Sequence, residues 1–375
     1  MKLLSWWRVA DPAPAGAVLP VELFFDLVFV FTLTQLSHTL HEHLSVEVLG
    51  RVVLVFGVLW WMYGGYAWLT NHVPPRLPSQ RLLLFVGMAG FFLAAVAVPH
   101  AFDGAGLLFG VGYLIVVLVH LLLFAQSSMR AGVARLAPFN TLSALLILTA
   151  GFLTGPAVYA LWSVALLIMM VTPYLSRPAG PAIAASFRLA PAHFVERHGL
   201  LVIVALGESV IAIGMGVAGE HLSAGTAGMV VLALALPAAL WWSYFADAHA
   251  AERVLATADD ATRGQLAIRA YFFAHIPVML GIVIAATGAR AALHDATHAV
   301  PWGTALALSG GVALVVAGIA EVRRTLGLGH ATIHRLAALL VLAVAPLGRV
   351  AAAAQLAAVV CIAVLLAIRA QRKRT

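Results

Sequence analysis

The residues best suited to chemistry are acidic side chains set inside apolar helical runs. Glu22 and Asp26 stand near the start of VELFFDLVFVFTLTQLSHTL, residues 21–40, and their spacing of four places them on one helix face. Glu208 stands about ten residues into an apolar run that begins at residue 199. A charge at such depth is costly unless it faces protein or water. We therefore predict that Asp26 and Glu208 are proton or cation sites, with a purely structural carboxyl group as the alternative.

Four other residues are secondary candidates for the same site. Glu22 shares the face of Asp26, but its place near the helix start also suits a solvated carboxylate favoured by the helix dipole. His120 and His275 lie inside apolar runs, where an imidazole can relay protons or simply pack with a hydrogen bond. Asp247 follows the aromatic stretch WWSYF and has two candidate partners, Arg197 and Arg269.

The elements that must position these groups are transmembrane helices. Of the 375 residues, 63% are hydrophobic and only 10% are charged, with a mean hydropathy of +1.00, whereas soluble domains carry roughly 25% charged residues. Apolar runs long enough for a bilayer predict an all-α bundle of about twelve spans. They lie at residues 21–40, 48–69, 81–99, 107–126, 139–154, 156–175, 199–217, 226–246, 268–289, 303–320, 333–348 and 351–369.

The number and orientation of the spans follow from turn signals and loop charge. The breaks at Gly155-Pro156 and Gly348-Arg349 could instead be kinks, which would leave ten or eleven spans. With twelve spans and the N-terminus inside, 19 of the 22 basic residues fall on the inner side. This bias predicts that both termini are cytoplasmic, together with the linker Ser176 to Pro191. Trp6 and Trp7 are expected in a short N-terminal arm at the membrane interface.

Several classes of function are disfavoured by composition. The net charge of +7 is explained by basic cytoplasmic loops, so no nucleic-acid partner is expected. The single cysteine, Cys361, excludes an internal disulfide and a cysteine-built metal site. No glycine-rich nucleotide loop, serine elbow or HExxH pattern occurs, so we expect no cofactor and no soluble-type catalysis. Histidines in the outer segments, such as His38 and His100, either sense pH or bind metal, or are ordinary solvated side chains.

The two halves of the chain share a pattern that predicts an internal repeat. Val21-Glu22 aligns with Val195-Glu196 at an offset of 174 residues, and the tryptophan pair at Trp60 aligns with that at Trp241 at an offset of 181. Six spans per unit would give parallel repeats related by an axis along the membrane normal. We predict a first repeat with its linker at 1–190 and a second at 191–375, with spans one and seven facing each other across that axis.

Two stretches resemble the hallmark segments of bacterial low-temperature-requirement A proteins. They are ELFFDLVFVFTLTQLS at Glu22 and ERHGLLVIVALGESVIAIG at Glu196. The resemblance covers nearly the whole chain and implies a multi-pass protein of the bacterial plasma membrane. The residues that match its motifs are Glu22, Phe25, Asp26, Glu196, Gly207, Glu208 and Ser209.

A second similarity is to the endolysosomal potassium and proton channels, which are built from two six-helix repeats. Their Phe-Ser-Asp signature corresponds here to Phe24-Phe25-Asp26, which lacks the serine, and Leu200 stands where the second aspartate would be. This similarity favours a channel or transporter.

Taken together, these patterns predict a membrane protein that moves protons or a small cation by means of intramembrane carboxylates. Its partners would be the lipid bilayer and the transported ion, and a homo-oligomer is left open. The alternative is a non-transporting protein: a sensor, an assembly factor or an intramembrane enzyme acting on lipid. Sparse cytoplasmic loops argue against a large signalling interface, and the lack of a paired His/Asp array argues against a desaturase-type enzyme. Enzymatic activity is therefore the less favoured prediction.

Overall fold

The described chain is entirely helical, as the sequence predicts. A computed structural model describes residues 16–126, 130–175, 189–218, 223–294 and 296–371. Fourteen α-helices lie in these ranges: α1 Pro20–Glu42, α2 Val46–His72, α3 Pro78–Ala97, α4 Gly106–Ala125, α5 Arg130–Ala150, α6 Pro156–Leu175, α7 Pro191–Gly216, α8 Ala224–Phe245, α9 Ala248–Thr257, α10 Asp260–Ala267, α11 His275–His294, α12 Trp302–Thr325, α13 Ala331–Ala343 and α14 Ala352–Gln371.

Eleven helical segments of the described chain are long and apolar enough to cross a membrane. A further apolar stretch, Pro156–Thr172 within α6, is shorter. Two of the segments join consecutive elements: Ala224–Thr257 contains α8 and α9, and Asp260–Leu293 contains α10, a π-helical turn at Ile268–Phe273, and α11. The protein is therefore a polytopic membrane protein, and the number of candidate spans in the described residues is close to the predicted twelve.

The two ambiguous breaks separate helices rather than bend them. Helix α5 ends at Ala150 and α6 begins at Pro156, after Gly155 adopts a φ of +73° that favours glycine. A 3₁₀ turn at Ala345–Arg349 separates α13 from α14. The alternative of a single kinked helix at either place is therefore wrong.

Contacts divide the chain into two compact units. Unit 1 comprises the described residues of 1–36, 51–197 and 255–265, and unit 2 those of 37–50, 198–254 and 266–375. In unit 1, α3 crosses α4 closely, because a Cβ on Gly90 would lie 2.7 Å from the carbonyl oxygen of Gly112. In unit 2, α11 and α12 make the same kind of contact between Gly281 and Gly311. Small residues allow such close packing of membrane helices. The rotational relation between the predicted repeats remains a prediction.

Several sequence predictions concern residues outside the described ranges. These are the N-terminal arm with Trp6 and Trp7 and residues 176–188 of the predicted linker. His221, another histidine of the predicted outer segments, also lies outside them.

The predicted orientation can be tested with single cysteines in a Cys361→Ser background. Ser176→Cys, in the linker, should stay unlabelled by a membrane-impermeant maleimide applied to intact cells and should react once the cells are permeabilised. Ala105→Cys, in the turn between α3 and α4, should be labelled from outside. The reverse pattern would overturn an arrangement with both termini in the cytoplasm.

Candidate functional site

The first two turns of α1 place both of its acidic side chains inside unit 1. Glu22 and Asp26 are each 0% exposed. Pro20 opens the helix, where its missing N–H costs nothing, and Glu22 follows in the first turn. The predicted shared face is confirmed, since both carboxylates reach one guanidinium group. The expectation of a solvated Glu22 is wrong, because buried cationic and hydrogen-bonding groups replace water around it.

Arg197 of α7 binds both carboxylates. Its Nη1 donates to Oε1 of Glu22 at 2.8 Å, and its Nη2 donates to Oδ1 of Asp26 at 3.2 Å. Nη1 also donates to the hydroxyl of Thr70 on α2. Arg197 itself is 0% exposed. A planar guanidinium with five donors suits this bridging position better than an ammonium group.

Aromatic rings enclose the ion pairs. The guanidinium carbon of Arg197 lies 5.5 Å from the ring centre of Phe25 and 5.9 Å from that of Tyr63. The hydroxyl of Tyr63 donates to Oδ1 of Asp26 at 3.0 Å. Phe25 also stacks on Tyr66 at 4.9 Å. The rings exclude water and offer the cation their π faces.

His193 completes the cluster one helical turn before Arg197. Its Nε2 lies 3.1 Å from Oε2 of Glu22, and its Nδ1 lies 3.1 Å from Nδ2 of Asn71. The backbone N–H of Leu19 also donates to Oε2 of Glu22 at 2.9 Å. We call Glu22, Asp26, Tyr63, Thr70, Asn71, His193 and Arg197 the α1–α7 cluster.

One carboxylate oxygen of the α1–α7 cluster stands out. Oδ2 of Asp26 is buried and has no hydrogen-bond partner among the described residues, and the same holds for Nε of Arg197. Buried polar atoms are nearly always satisfied, so an orphaned carboxylate oxygen indicates a place where something else binds.

Sequence reasoning did not identify Arg197 and His193 as site residues. Counting loop charges places Arg197 among the 19 basic residues of the inner side, yet it lies inside α7 and is fully buried. A signal was present: His193 and Arg197 are four residues apart, the same spacing as Glu22 and Asp26, so each pair lies on one helix face.

Glu208 lies in unit 2, on the second half of α7. The helix begins at Pro191, eight residues before the predicted span, and Glu208 stands about 12 Å from its last residue, Gly216, at 1.5 Å per residue. The depth of Glu208 in the bilayer stays a prediction. Glu208 is 9% exposed and Ser209 is 8% exposed. A Cβ on Gly207 or Gly214 would meet no described atom within 4 Å, so neither glycine lies in close contact with a neighbouring helix of the described chain.

The two interpretations of Glu208 predict different behaviour of its variants. If Glu208 handles protons, Glu208→Gln should keep the melting temperature but abolish ion flux or its pH dependence. If it is structural, Gln should leave flux unchanged, while Glu208→Ala should lower the free energy of unfolding by about 1–3 kcal/mol through an unpaired neighbour. Flux and thermal melting of both variants decide between them.

Asp247 belongs to a separate ion pair in unit 2. Its Oδ2 accepts from Nη1 of Arg323, and Nε of Arg323 donates to the carbonyl oxygen of Gly329 at 2.9 Å. The suggested pairing with Arg197 is wrong, since Arg197 is engaged by Glu22 and Asp26. The ion pair therefore joins the end of α8 to the last turn of α12 and to the loop that follows α12.

The two intramembrane histidines have different surroundings. In unit 2, His275 has Nε2 2.7 Å from the hydroxyl of Tyr244 and Nδ1 2.8 Å from the carbonyl oxygen of Ala270 in the π-helical turn. In unit 1, His120 packs against Tyr66, and a Cβ on Gly65 would lie 2.9 Å from its Nε2. His275 is therefore hydrogen-bonded, while Nδ1 of His120 has no partner among the described residues.

The aligned acidic residues of the predicted repeat have different environments. Glu196 is exposed, and its Oε2 accepts from the backbone N–H of Val18 at 3.3 Å, whereas Glu22 is buried. The Tyr residues of the two tryptophan stretches are more alike. Tyr63 binds a buried Asp26 and Tyr244 binds a buried His275.

The two outer histidines named in the sequence analysis are exposed. His38 is 50% exposed beside Glu42, and His100 is 74% exposed beside Asp103. Within the described ranges, no group of three His, Cys, Asp or Glu side chains could hold a metal ion.

Comparisons with known proteins agree with the resemblance seen in the sequence. The family model of the bacterial low temperature requirement A protein (LtrA) matches residues 17–370. The uncharacterized protein RA0937 of Rhizobium meliloti (strain 1021) is 32% identical over 331 residues, which cover 85% of this chain and 80% of that protein. No solved structure matches the chain.

Proposed function

We propose that this chain, which belongs to the bacterial low temperature requirement A (LtrA) family, moves protons or a small cation across the bacterial plasma membrane. Asp26 is the principal ion-binding group, and Glu22 and Arg197 hold it in place. Glu208 serves as a second acidic site in unit 2, with His120, His275 and Asp247 as further candidates. Both termini face the cytoplasm in this proposal.

The charge balance of the α1–α7 cluster supports this function. Glu22 and Asp26 are both buried at 0% exposure, and among the described residues the guanidinium of Arg197 is the one that reaches them, supplying a single positive charge. An uncompensated charge inside a membrane protein is expensive. With two carboxylates and one guanidinium, the cluster lacks one positive charge. It should therefore favour binding of a proton or a small cation.

The position of the cluster also suits transport. Its acidic groups lie in the first two turns of α1 and its basic groups in the first two turns of α7, so they lie near one end of two predicted spans. Ionisable groups buried in transmembrane helices commonly mark ion pathways and proton relays. A site that lacks one positive charge can bind an ion and release it again.

Purified protein reconstituted into liposomes tests this proposal. A pH-sensitive dye and a potassium-sensitive dye report dissipation of imposed gradients, with protein-free liposomes as the control. We expect the protein to dissipate at least one gradient faster than the control. Folded protein that dissipates neither a proton gradient nor a potassium gradient would overturn the proposal and favour a non-transporting membrane protein.

A further inference from the structure

The side-chain amide of Asn71 has its orientation fixed by the main chain. The backbone N–H of Ala190 lies 2.9 Å from one amide atom of Asn71, and the carbonyl oxygen of Ala190 lies 3.1 Å from the other. A backbone N–H can only donate and a carbonyl can only accept. The first atom must therefore be Oδ1 and the second Nδ2, which makes the group facing His193 a hydrogen-bond donor.

This orientation fixes the charge of His193. Nδ2 of Asn71 lies 3.1 Å from Nδ1 of His193, so Nδ1 must accept a hydrogen bond and carries no proton. The ring proton is then on Nε2, which donates to Oε2 of Glu22 at 3.1 Å. With Nδ1 unprotonated, His193 is neutral. It cannot supply the positive charge that the cluster lacks.

The acceptor oxygens of the cluster are almost all occupied. Oε1 of Glu22 accepts from Arg197, and Oε2 accepts from His193 and Leu19. Oδ1 of Asp26 accepts from Tyr63 and Arg197. Oδ2 of Asp26 is the buried carboxylate oxygen without a partner among the described residues. A hard metal cation needs several oxygen ligands, whereas a proton needs one.

We infer that Asp26 binds a proton on Oδ2 and that this site takes protons in preference to alkali cations. In the protonated acid, Oδ1 is the carbonyl oxygen that accepts from Tyr63 and Arg197, and Oδ2 is the hydroxyl. The bound proton leaves Asp26 neutral, so that Glu22 and Arg197 balance each other. That the transported ion is also the proton rests on the proposed function. The proton-binding site itself does not.

Infrared spectroscopy of the purified protein in lipid nanodiscs tests the site without measuring transport. A protonated carboxylic acid has a carbonyl stretch that is distinct from the bands of a carboxylate. We expect a band of this kind in the wild type, shifted by ¹³C labelling of the aspartate side chains and absent from Asp26→Asn. Glu208→Gln is the matched control and should retain the aspartate band. The isotope label identifies an aspartic acid even if Asp26→Asn fails to fold.

The same band distinguishes a proton from an alkali cation. It should be unchanged when sodium replaces potassium in the buffer, and when either salt is raised tenfold at constant pH. Loss of the band at high sodium or potassium would overturn the preference for protons. Absence of an aspartate-dependent acid band in the wild type would overturn the site, whatever the flux assay shows. If the acid band is present but the protein shows no ion flux, the proton-binding site stands and the proposal of transport is rejected.

A third measurement tests the role of Asn71 as a positioning residue. The nitrogen chemical shifts of ¹⁵N-histidine-labelled protein, with His193 assigned by its loss in His193→Gln, should show a neutral ring protonated on Nε2. In Asn71→Ala the donor facing Nδ1 is removed, so the nitrogen shifts should no longer show a single tautomer protonated on Nε2. An imidazolium at His193 in the wild type would contradict the inference.

Discussion

Arg197→Gln should lower the free energy of unfolding by about 3–5 kcal/mol, because it leaves two buried acidic groups without their cation. Glu22 and Asp26 are both 0% exposed and depend on the same guanidinium. Thermal melting of the detergent-solubilised variant measures the loss.

Arg324→Gln is the matched control for this prediction. Arg324 pairs with Glu321 through a side chain that is 56% exposed, so its removal should change stability by at most about 1 kcal/mol. The triple variant Glu22→Gln, Asp26→Asn, Arg197→Gln carries no charge at these three positions and should recover much of the stability lost in Arg197→Gln. Equal melting temperatures for Arg197→Gln and Arg324→Gln would show that the buried ion pairs do not stabilise the fold.

Neutralising the two acidic residues of α1 should have opposite effects on stability. In Asp26→Asn, the amide NH₂ can occupy the position of Oδ2, which faces no donor, while the amide oxygen still accepts from Tyr63 and Arg197. Asn therefore mimics the protonated acid, and the melting temperature should stay the same or rise.

Glu22→Gln has no such position for its NH₂ group. Both oxygens of Glu22 accept from N–H donors, so the amide nitrogen of Gln must face Arg197, or else His193 and Leu19. A donor facing a donor leaves a buried group unsatisfied, which costs about 1–3 kcal/mol and more for charged groups. Thermal melting of the two variants side by side measures the contrast. A larger loss in Asp26→Asn than in Glu22→Gln would contradict this charge assignment.

The helices were predictable because long apolar runs that carry few charges form them. The start of α7 was placed eight residues late, at 199 instead of Pro191. Its first turns contain His193, Glu196, Arg197 and His198. These polar residues lower the local hydropathy, so the sequence predicts a loop there. The helix continues through them because His193 and Arg197 bind buried partners.

The acidic half of the site was predictable and the basic half was not. Glu22 and Asp26 are four residues apart, and this local spacing is enough to predict that they lie on one helix face. Their partner Arg197 lies 171 residues beyond Asp26 in the chain, and residue spacing contains no information about such a contact. Counting loop charges also hides Arg197 as a site residue, because this method assigns every arginine near the end of a span to a solvent-exposed loop. Tyr63, Thr70 and Asn71 lacked any local signal, since a polar residue in an apolar helix has many interpretations.

Proton flux through Asp26→Asn in proteoliposomes tests the central claim most directly. The control is Asp260→Asn, which removes a more exposed carboxylate paired with Arg263 at 2.7 Å. The wild type and Asp260→Asn should dissipate an imposed pH gradient at equal rates. Asp26→Asn should remain folded, with a melting temperature no lower than that of the wild type, and should dissipate the gradient no faster than protein-free liposomes. Wild-type proton flux in folded Asp26→Asn would contradict the assignment of Asp26 as the proton site.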